Sequence, residues 1–226
     1  MRRFFRFTIL SLLWFVGLSL AWVLIYALVP PPTTITMLTD SRGATRDWMA
    51  LSDMDPDMAR AVIAGEDAKF CSHRGFDTEA MGAALLRSMA GNGRLRGGST
   101  ISQQVAKNVF LWQGSGAISR TLRKLPEAWF TMLIEGIWGK KRIMEVYLNV
   151  AETGIGTYGA NAGAMRYFHH DASRLTRQEA ARIAAVLPLP KERRAVTPRG
   201  FTRRYGNSIS ARMQVVESDG LDSCLR

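Results

Sequence analysis

Two polar tracts interrupt the apolar patterning of this chain, and their residue types could transfer protons and hold a polar ligand. The first is Glu66-Asp67-Ala68-Lys69-Phe70-Cys71-Ser72-His73-Arg74-Gly75-Phe76-Asp77. It sets adjacent carboxylates at the end of an apolar run (Met58, Ala61, Val62, Ile63), then adds an aromatic ring, an imidazole and a third carboxylate, which are groups that general acid–base chemistry uses. The second is Gly97-Gly98-Ser99-Thr100-Ile101-Ser102-Gln103-Gln104-Val105-Ala106-Lys107-Asn108. Here Ser99 or Thr100 could cap a helix and leave backbone N–H groups for an anion, while Gln103, Gln104, Lys107 and Asn108 load that helix with donors and acceptors. Alone, each tract has a bland reading: Glu-Asp at a helix end is usually solvated, and Gly-Gly-Ser-Thr is usually a capped helix start.

The elements that must position these tracts read as helices. Apolar residues recur at helical spacing at Met58, Val62 and Ile63, at Met81, Leu85 and Met89, and at Ile101, Val105 and Val109. The longest such stretch is 119–139, with Leu122, Leu125, Trp129, Leu133, Ile134 and Ile137 on a broad apolar side; Pro126 inside it predicts a kink or a break. Ile143, Val146, Tyr147 and Val150 mark a further helix, and residues 179–187 another, stopped by Pro188 and Pro190. Sustained two-residue alternation is missing, which argues against a large sheet. The expected fold class is mainly α, and a chain of 226 residues, 47% hydrophobic, has room for one domain with a full core plus a short extra segment.

That extra segment is N-terminal. From Thr8 to Val29 the sequence carries no charge; Arg2, Arg3 and Arg6 precede it and Pro30-Pro31-Pro32 follow. At about 1.5 Å per residue it spans a hydrocarbon core of about 30 Å, and the arginines predict a cytoplasmic N-terminus with the rest of the chain outside. Cleavage as a signal peptide after Ser19-Leu20-Ala21 would leave an apolar new N-terminus, so the uncleaved anchor is preferred. Net charge is +11, or +8 once the three arginines are set aside. Such a surface suits anionic lipid and pyrophosphate as well as nucleic acid, and the external location favours the former. Cys71 and Cys224 would both lie outside, where disulfides form, but a structural role for them is not expected. After about Arg199 the apolar pattern weakens, and the last residues read as a mobile tail.

In order and in register, the two tracts resemble the lipid II polymerising peptidoglycan glycosyltransferases (family 51), whose patterns read E-D-x-x-F-x-x-H-x-G-x-D and G-[GA]-S-T-I-[ST]-Q-Q-x-x-[KR]-N. The match continues through Arg123-Lys124-Leu125-Pro126-Glu127, through Lys141-Arg142-Ile143-Met144-Glu145-Val146-Tyr147-Leu148-Asn149, and to Tyr158-Gly159 with Tyr167-Phe168 beyond. Gly163 departs from the alanine usual in the later motif. The resemblance implies a lysozyme-like glycosyltransferase domain over 46–200, behind a cytoplasmic stub and transmembrane anchor over 1–30 and a connector over 31–45, with a tail over 201–226. No serine is followed three residues later by lysine and Lys-Thr-Gly is absent, so the expected enzyme is monofunctional, without a penicillin-binding transpeptidase.

The resemblance also assigns roles. Glu66 would take the proton from the acceptor's 4-hydroxyl, and Glu127 would act around the donor's pyrophosphate. Lys107, Arg120 and Lys124 are the cations for the leaving diphosphate. Asp67, Ser99, Thr100, Gln103, Gln104 and Asn108 would bind substrate, and His73 is expected to brace a neighbouring carboxylate or loop. Phe110-Leu111-Trp112 could dip into lipid or pack in the core. A dependence on Mg²⁺ or Mn²⁺ is implied, although the sequence holds no ligand cluster with diagnostic spacing; no organic cofactor is expected. The expected partners are lipid II, the growing glycan strand, the inner membrane and cell-division or elongation proteins, with no nucleic acid. The catalytic domain is expected in the periplasm. The alternatives are a lytic transglycosylase or muramidase, against which the cations of the later motifs argue, and a non-catalytic scaffold, against which Glu66 and Glu127 argue. A DNA-binding helix-turn-helix is remote.

Overall fold

A computed structural model describes residues 1–89, 98–112 and 116–226, and for Leu85, Arg87, Ser88, Met89, Ala117 and Arg120 the backbone alone. Gly97 and the side chains of Leu85, Met89 and Arg120, used above, lie outside the described residues. Helix α1 (Arg2–Leu28) is long and apolar enough to cross a membrane, as its uncharged run requires. Most of it is exposed, but Ser19 and Val23 are buried against the rest of the chain. The prolines end it, and Arg46 then donates to the carbonyls of Pro31 (2.7 Å) and Pro32 (2.8 Å). The expected connector thus contains folded structure: the short α2 (Ile35–Leu38) is capped by Thr34, and Met37 is buried.

Strand β1 (Thr45–Arg46) leads to α3 (Pro56–Glu66), whose start is set by the Asp55 carboxylate accepting from the Asp57 N–H at 2.9 Å and by Pro56 in the first turn. Then come α4 (Thr78–Met89), α5 (Ile101–Phe110), α6 (Ala117–Ile137) and α7 (Lys140–Val150). A small sheet follows from β2 (Glu152–Gly154) and β3 (Thr157–Tyr158); β3 is central, antiparallel to β2 and parallel to β1. The chain ends with α8 (Ala160–Phe168), α9 (Arg177–Val186) and α10 (Gly200–Ser218). Helix α3 packs on α9 and α10, and α5 packs on α6 and α7. One apolar cluster joins both groups, through Ala61, Val62 and Ile63 with Ile183, Ile209 and Met213, and through Ile101, Val105, Ile134, Ile143 and Val146.

Three expectations are corrected. Of the kink or break expected at Pro126, the break is absent: α6 is continuous over 21 residues. The carbonyl that Pro126 leaves without an N–H partner is that of Leu122, an exposed residue, where the loss is least costly. The tail expected over 201–226 is helix α10, which buries Gly206, Ile209, Met213 and Val216. Cys71 and Cys224, expected without a structural role, form a disulfide with a Cα–Cα distance of 5.4 Å across a sequence separation of 153. The return of α10 alongside α3 brings these distant residues together. There Asp222 accepts from Arg60 Nε (3.0 Å) and Arg226 Nη2 (2.7 Å).

Candidate active site

Helix α3 delivers Glu66 on its last turn, and the chain leaves the helix at Asp67 in a non-helical conformation, φ −158° and ψ 77°. The two neighbouring carboxylates therefore part. Asp67 is buried: one oxygen accepts from the Ile101 N–H at 2.9 Å, and both lie 3.0 Å from His73 Nε2. Because His73 Nδ1 accepts from the Gly75 N–H (3.1 Å), Nε2 carries the proton and donates it to Asp67. Thr100 caps α5 in a reciprocal capping box with Gln103, and its hydroxyl donates to the Gly75 carbonyl at 2.6 Å. Of the two expected caps, Ser99 or Thr100, it is Thr100 that caps α5, and of the carboxylate or loop expected for His73 it is the Asp67 carboxylate that it meets.

Asp67, Thr100 and Gln103, expected among the substrate-binding residues, thus direct these side-chain groups inward. They tie the first tract to the positive end of α5, and of the N–H groups in its first turn those of Ile101 and Gln103 are taken up by the protein. Gly75 makes the close turn possible: its φ is +86°, and a Cβ there would lie 2.8 Å from Thr131 Cγ2. Ser99 is exposed at the start of α5.

Gln104, Lys107 and Asn108 share one face of α5 by their spacing, and Glu66 meets that face. Gln104 Nε2 donates to Glu66 Oε2 at 3.0 Å, and Gln104 Oε1 accepts from the Tyr147 hydroxyl at 3.3 Å. Burial pushes the Glu66 carboxyl up from its ordinary value, against the Gln104 hydrogen bond and the charges of Arg193 and Lys107, which favour the ionised form. Burial likewise pushes the Lys107 ammonium down, although Glu127 and Glu66 both attract it. Lys107 therefore feels both catalytic candidates.

Glu127 is 2% exposed on α6. Its Oε1 accepts from Lys124 Nζ at 2.5 Å, so the turn containing Pro126 leaves this pair intact, and its Oε2 lies 3.7 Å from Arg123 Nε. Among the described residues neither Oε2 nor Arg123 Nε has a hydrogen-bond partner. The divalent cation implied by the resemblance finds no donor set here: no three of His, Cys, Asp and Glu converge among the described residues, and Glu127 already faces Lys124, Arg123 and Lys107.

The structure thus gathers Glu66, Gln104, Lys107, Lys124 and Glu127 and turns Asp67, Thr100 and Gln103 into their support. Sequence reasoning missed Arg123, although its place four residues before Glu127 on a helix is a signal. Nor did it point to a role for Tyr147, whose ring is buried in the core, or for Tyr205, whose hydroxyl donates to the Gly65 carbonyl at 2.7 Å immediately before Glu66. Nothing in the sequence points to the latter contact.

The sequence pattern of the family described as transglycosylase matches residues 33–214. The chain belongs to that family. Among curated proteins it is similar to a biosynthetic peptidoglycan transglycosylase of Caulobacter vibrioides, 46% identical over 90% of this chain and 88% of that protein. A protein of the same name from Pseudomonas aeruginosa is 44% identical over 100% of this chain and 98% of its own length, and one from Jannaschia sp. is 43% identical over 92% and 84%. The family match takes in both tracts, Glu127, most of the segment expected as a connector and α10 as far as residue 214.

Proposed function

We propose that this transglycosylase-family chain polymerises lipid II into β-1,4-linked glycan strands with release of polyprenyl diphosphate. Glu66 takes the proton from the 4-hydroxyl of the acceptor sugar as that oxygen attacks C1 of the donor; the C1–O bond to the diphosphate breaks, and the configuration at C1 inverts. Lys107, Lys124 and Arg123 supply positive charge where the diphosphate gains negative charge. Glu127 holds Lys124 and Arg123 in place, while Asn108 and Ser99 offer neutral contacts to the sugars. Arg120 is a further cation on α6.

The observation that carries this reading is the placing of Glu66. Its half-buried carboxyl is raised towards the working range of a general base, and its hydrogen bond from Gln104 comes from the helix that also carries Lys107. A lytic enzyme releasing a neutral glycan would have no use for the three cations gathered around Glu127. The arginines in the first turns of α1, ahead of its uncharged run, support a cytoplasmic N-terminus, a domain outside the inner membrane and access to a lipid-linked substrate.

Polymerisation of lipid II by the detergent-solubilised protein tests it. Glu66→Gln is expected to lower kcat by about 10²–10⁴-fold and Glu127→Gln to lower it strongly, with lipid II still bound. Full activity in Glu66→Gln, or cleavage of finished strands by the wild type, would overturn the assignment.

A further inference from the structure

We infer that Tyr147 is a positioning residue for the reaction: its buried hydroxyl holds the Gln104 amide in the orientation that donates to Glu66. The inference rests on the reading of Glu66 as the base. Tyr147 belongs to α7 and is 1% exposed; its hydroxyl meets Gln104 Oε1 at 3.3 Å, and the other end of that amide meets Glu66 Oε2 at 3.0 Å. Three elements, α3, α5 and α7, thus contribute one group each to a short hydrogen-bonded line.

A glutamine amide has nearly the same shape when its oxygen and nitrogen exchange places, so packing alone does not select its orientation. Chemistry does. Burial and the charges of Glu66 and Asp67 hold the Tyr147 phenol in its protonated form, so it has a proton to place, and among the described residues its acceptor is Gln104 Oε1. Exchanging the amide ends would leave that buried proton without its acceptor and would set Oε1 against an ionised Glu66.

The benefit appears during turnover. Once Glu66 has taken a proton, the exchanged amide would accept a hydrogen bond from the new carboxylic acid and stabilise it. Tyr147 opposes that exchange, so the site stays arranged for the ionised base. The other charged and titratable groups facing Glu66 are Asp67 on its own strand of chain, Lys107 from α5, Arg193 beyond α9 and Tyr205 from α10. None of them bonds to Gln104 in place of the phenol among the described residues.

The test is Tyr147→Phe, which keeps the ring and removes the hydroxyl, read by the pH dependence of lipid II polymerisation and by NMR titration of Glu66 in protein labelled at glutamate carboxyl carbons. The expected result is a titration of Glu66 displaced to higher pH and a kcat lowered roughly three- to tenfold near neutral pH, recovering as pH rises. As a second probe, fluorotyrosine at position 147, a more acidic and stronger donor, is expected to displace Glu66 the other way; it also serves if Tyr147→Phe does not fold. An unchanged Glu66 titration in the variant that folds overturns the inference. If the wild type makes no polymer while the Glu66 titration still moves, the assigned reaction fails and the positioning stands.

Discussion

Glu66 and Lys107 hold charges that their surroundings oppose, one carboxyl raised and one ammonium lowered, each mainly by burial. A raised carboxyl means that the folded chain binds the proton more tightly than the unfolded chain, so this group makes stability fall as pH rises from the unfolded carboxylate value through the raised folded one. For Lys107 the folded value is depressed, so its unfavourable contribution is present at neutral pH and fades as pH rises through that value. Glu66→Gln and Lys107→Met are therefore both expected to raise the melting temperature near pH 7 while strongly lowering polymerisation. Thermal unfolding from pH 4 to pH 9 checks this: the gain in Glu66→Gln must grow with pH across the carboxylate window, and a gain largest in acid would refute the sign.

Asp67 gives the opposite expectation. Its carboxylate supports the α5 N-terminus and His73, so Asp67→Asn is expected to cost about 1.5–3 kcal/mol, the range for hydrogen bonds to charged groups. At about 2–4 °C per kcal/mol for a chain of this size, melting falls by roughly 3–12 °C. The KM of the remaining folded protein for lipid II should hold, whereas a direct substrate contact would raise it. This contrast explains what the sequence left open. Both tracts were legible as candidate sites, but Asp67, Thr100 and Gln103 carry the same donors and acceptors whether they face a ligand or a helix end. Only the geometry of α3 and α5 separates the two uses.

Helix α10 was hidden for a different reason. Its buried positions, Gly206, Ile209, Met213 and Val216, do recur at helical spacing, yet one is a glycine and the exposed positions include Phe201 and Val215, so the apolar face stands out poorly. The glycine faces α9, with Ala185 3.7 Å from where its Cβ would be, but without a side chain it adds nothing to an apolar pattern. The helices α3, α5, α7 and α9 had complete apolar faces and were legible. Because α10 braces Gly65 through Tyr205 and leads to the Cys71–Cys224 bridge, it connects the C-terminus with the tract that carries Glu66. Replacing both cysteines by serine is expected to cost about 2–5 kcal/mol, the usual range for a native disulfide, and to lower melting by roughly 4–20 °C. The wild type should fall equally under reductant, and no response to reductant would mean that the bridge does not constrain the chain.

The anchor and the domain form one body at their junction, which neither the uncharged run nor the prolines could reveal. Trp129 Nε1 donates to Ser19 Oγ at 3.0 Å and Trp138 Nε1 to the Val23 carbonyl at 2.9 Å, while Arg142 donates to the carbonyls of Tyr26 (2.9 Å from Nη2) and Val29 (2.9 Å). These are carbonyls of the last turn of α1 and its C-cap, which lack intrahelical partners and favour a cation. With Arg46 holding the prolines that follow, the site should keep a fixed height relative to α1 instead of swinging on a tether. Spin labels at Leu24 and Lys141, both exposed, test this in liposomes by pulsed distance measurement. A single narrow distribution is expected in the wild type and a broader one in Arg142→Ala, which leaves those carbonyls unpaired. Polymerisation should fall further in liposomes than in detergent, because a fixed height matters only when the substrate lies in a bilayer. A broad wild-type distribution, or equal losses in both media, would show that α1 merely tethers the domain.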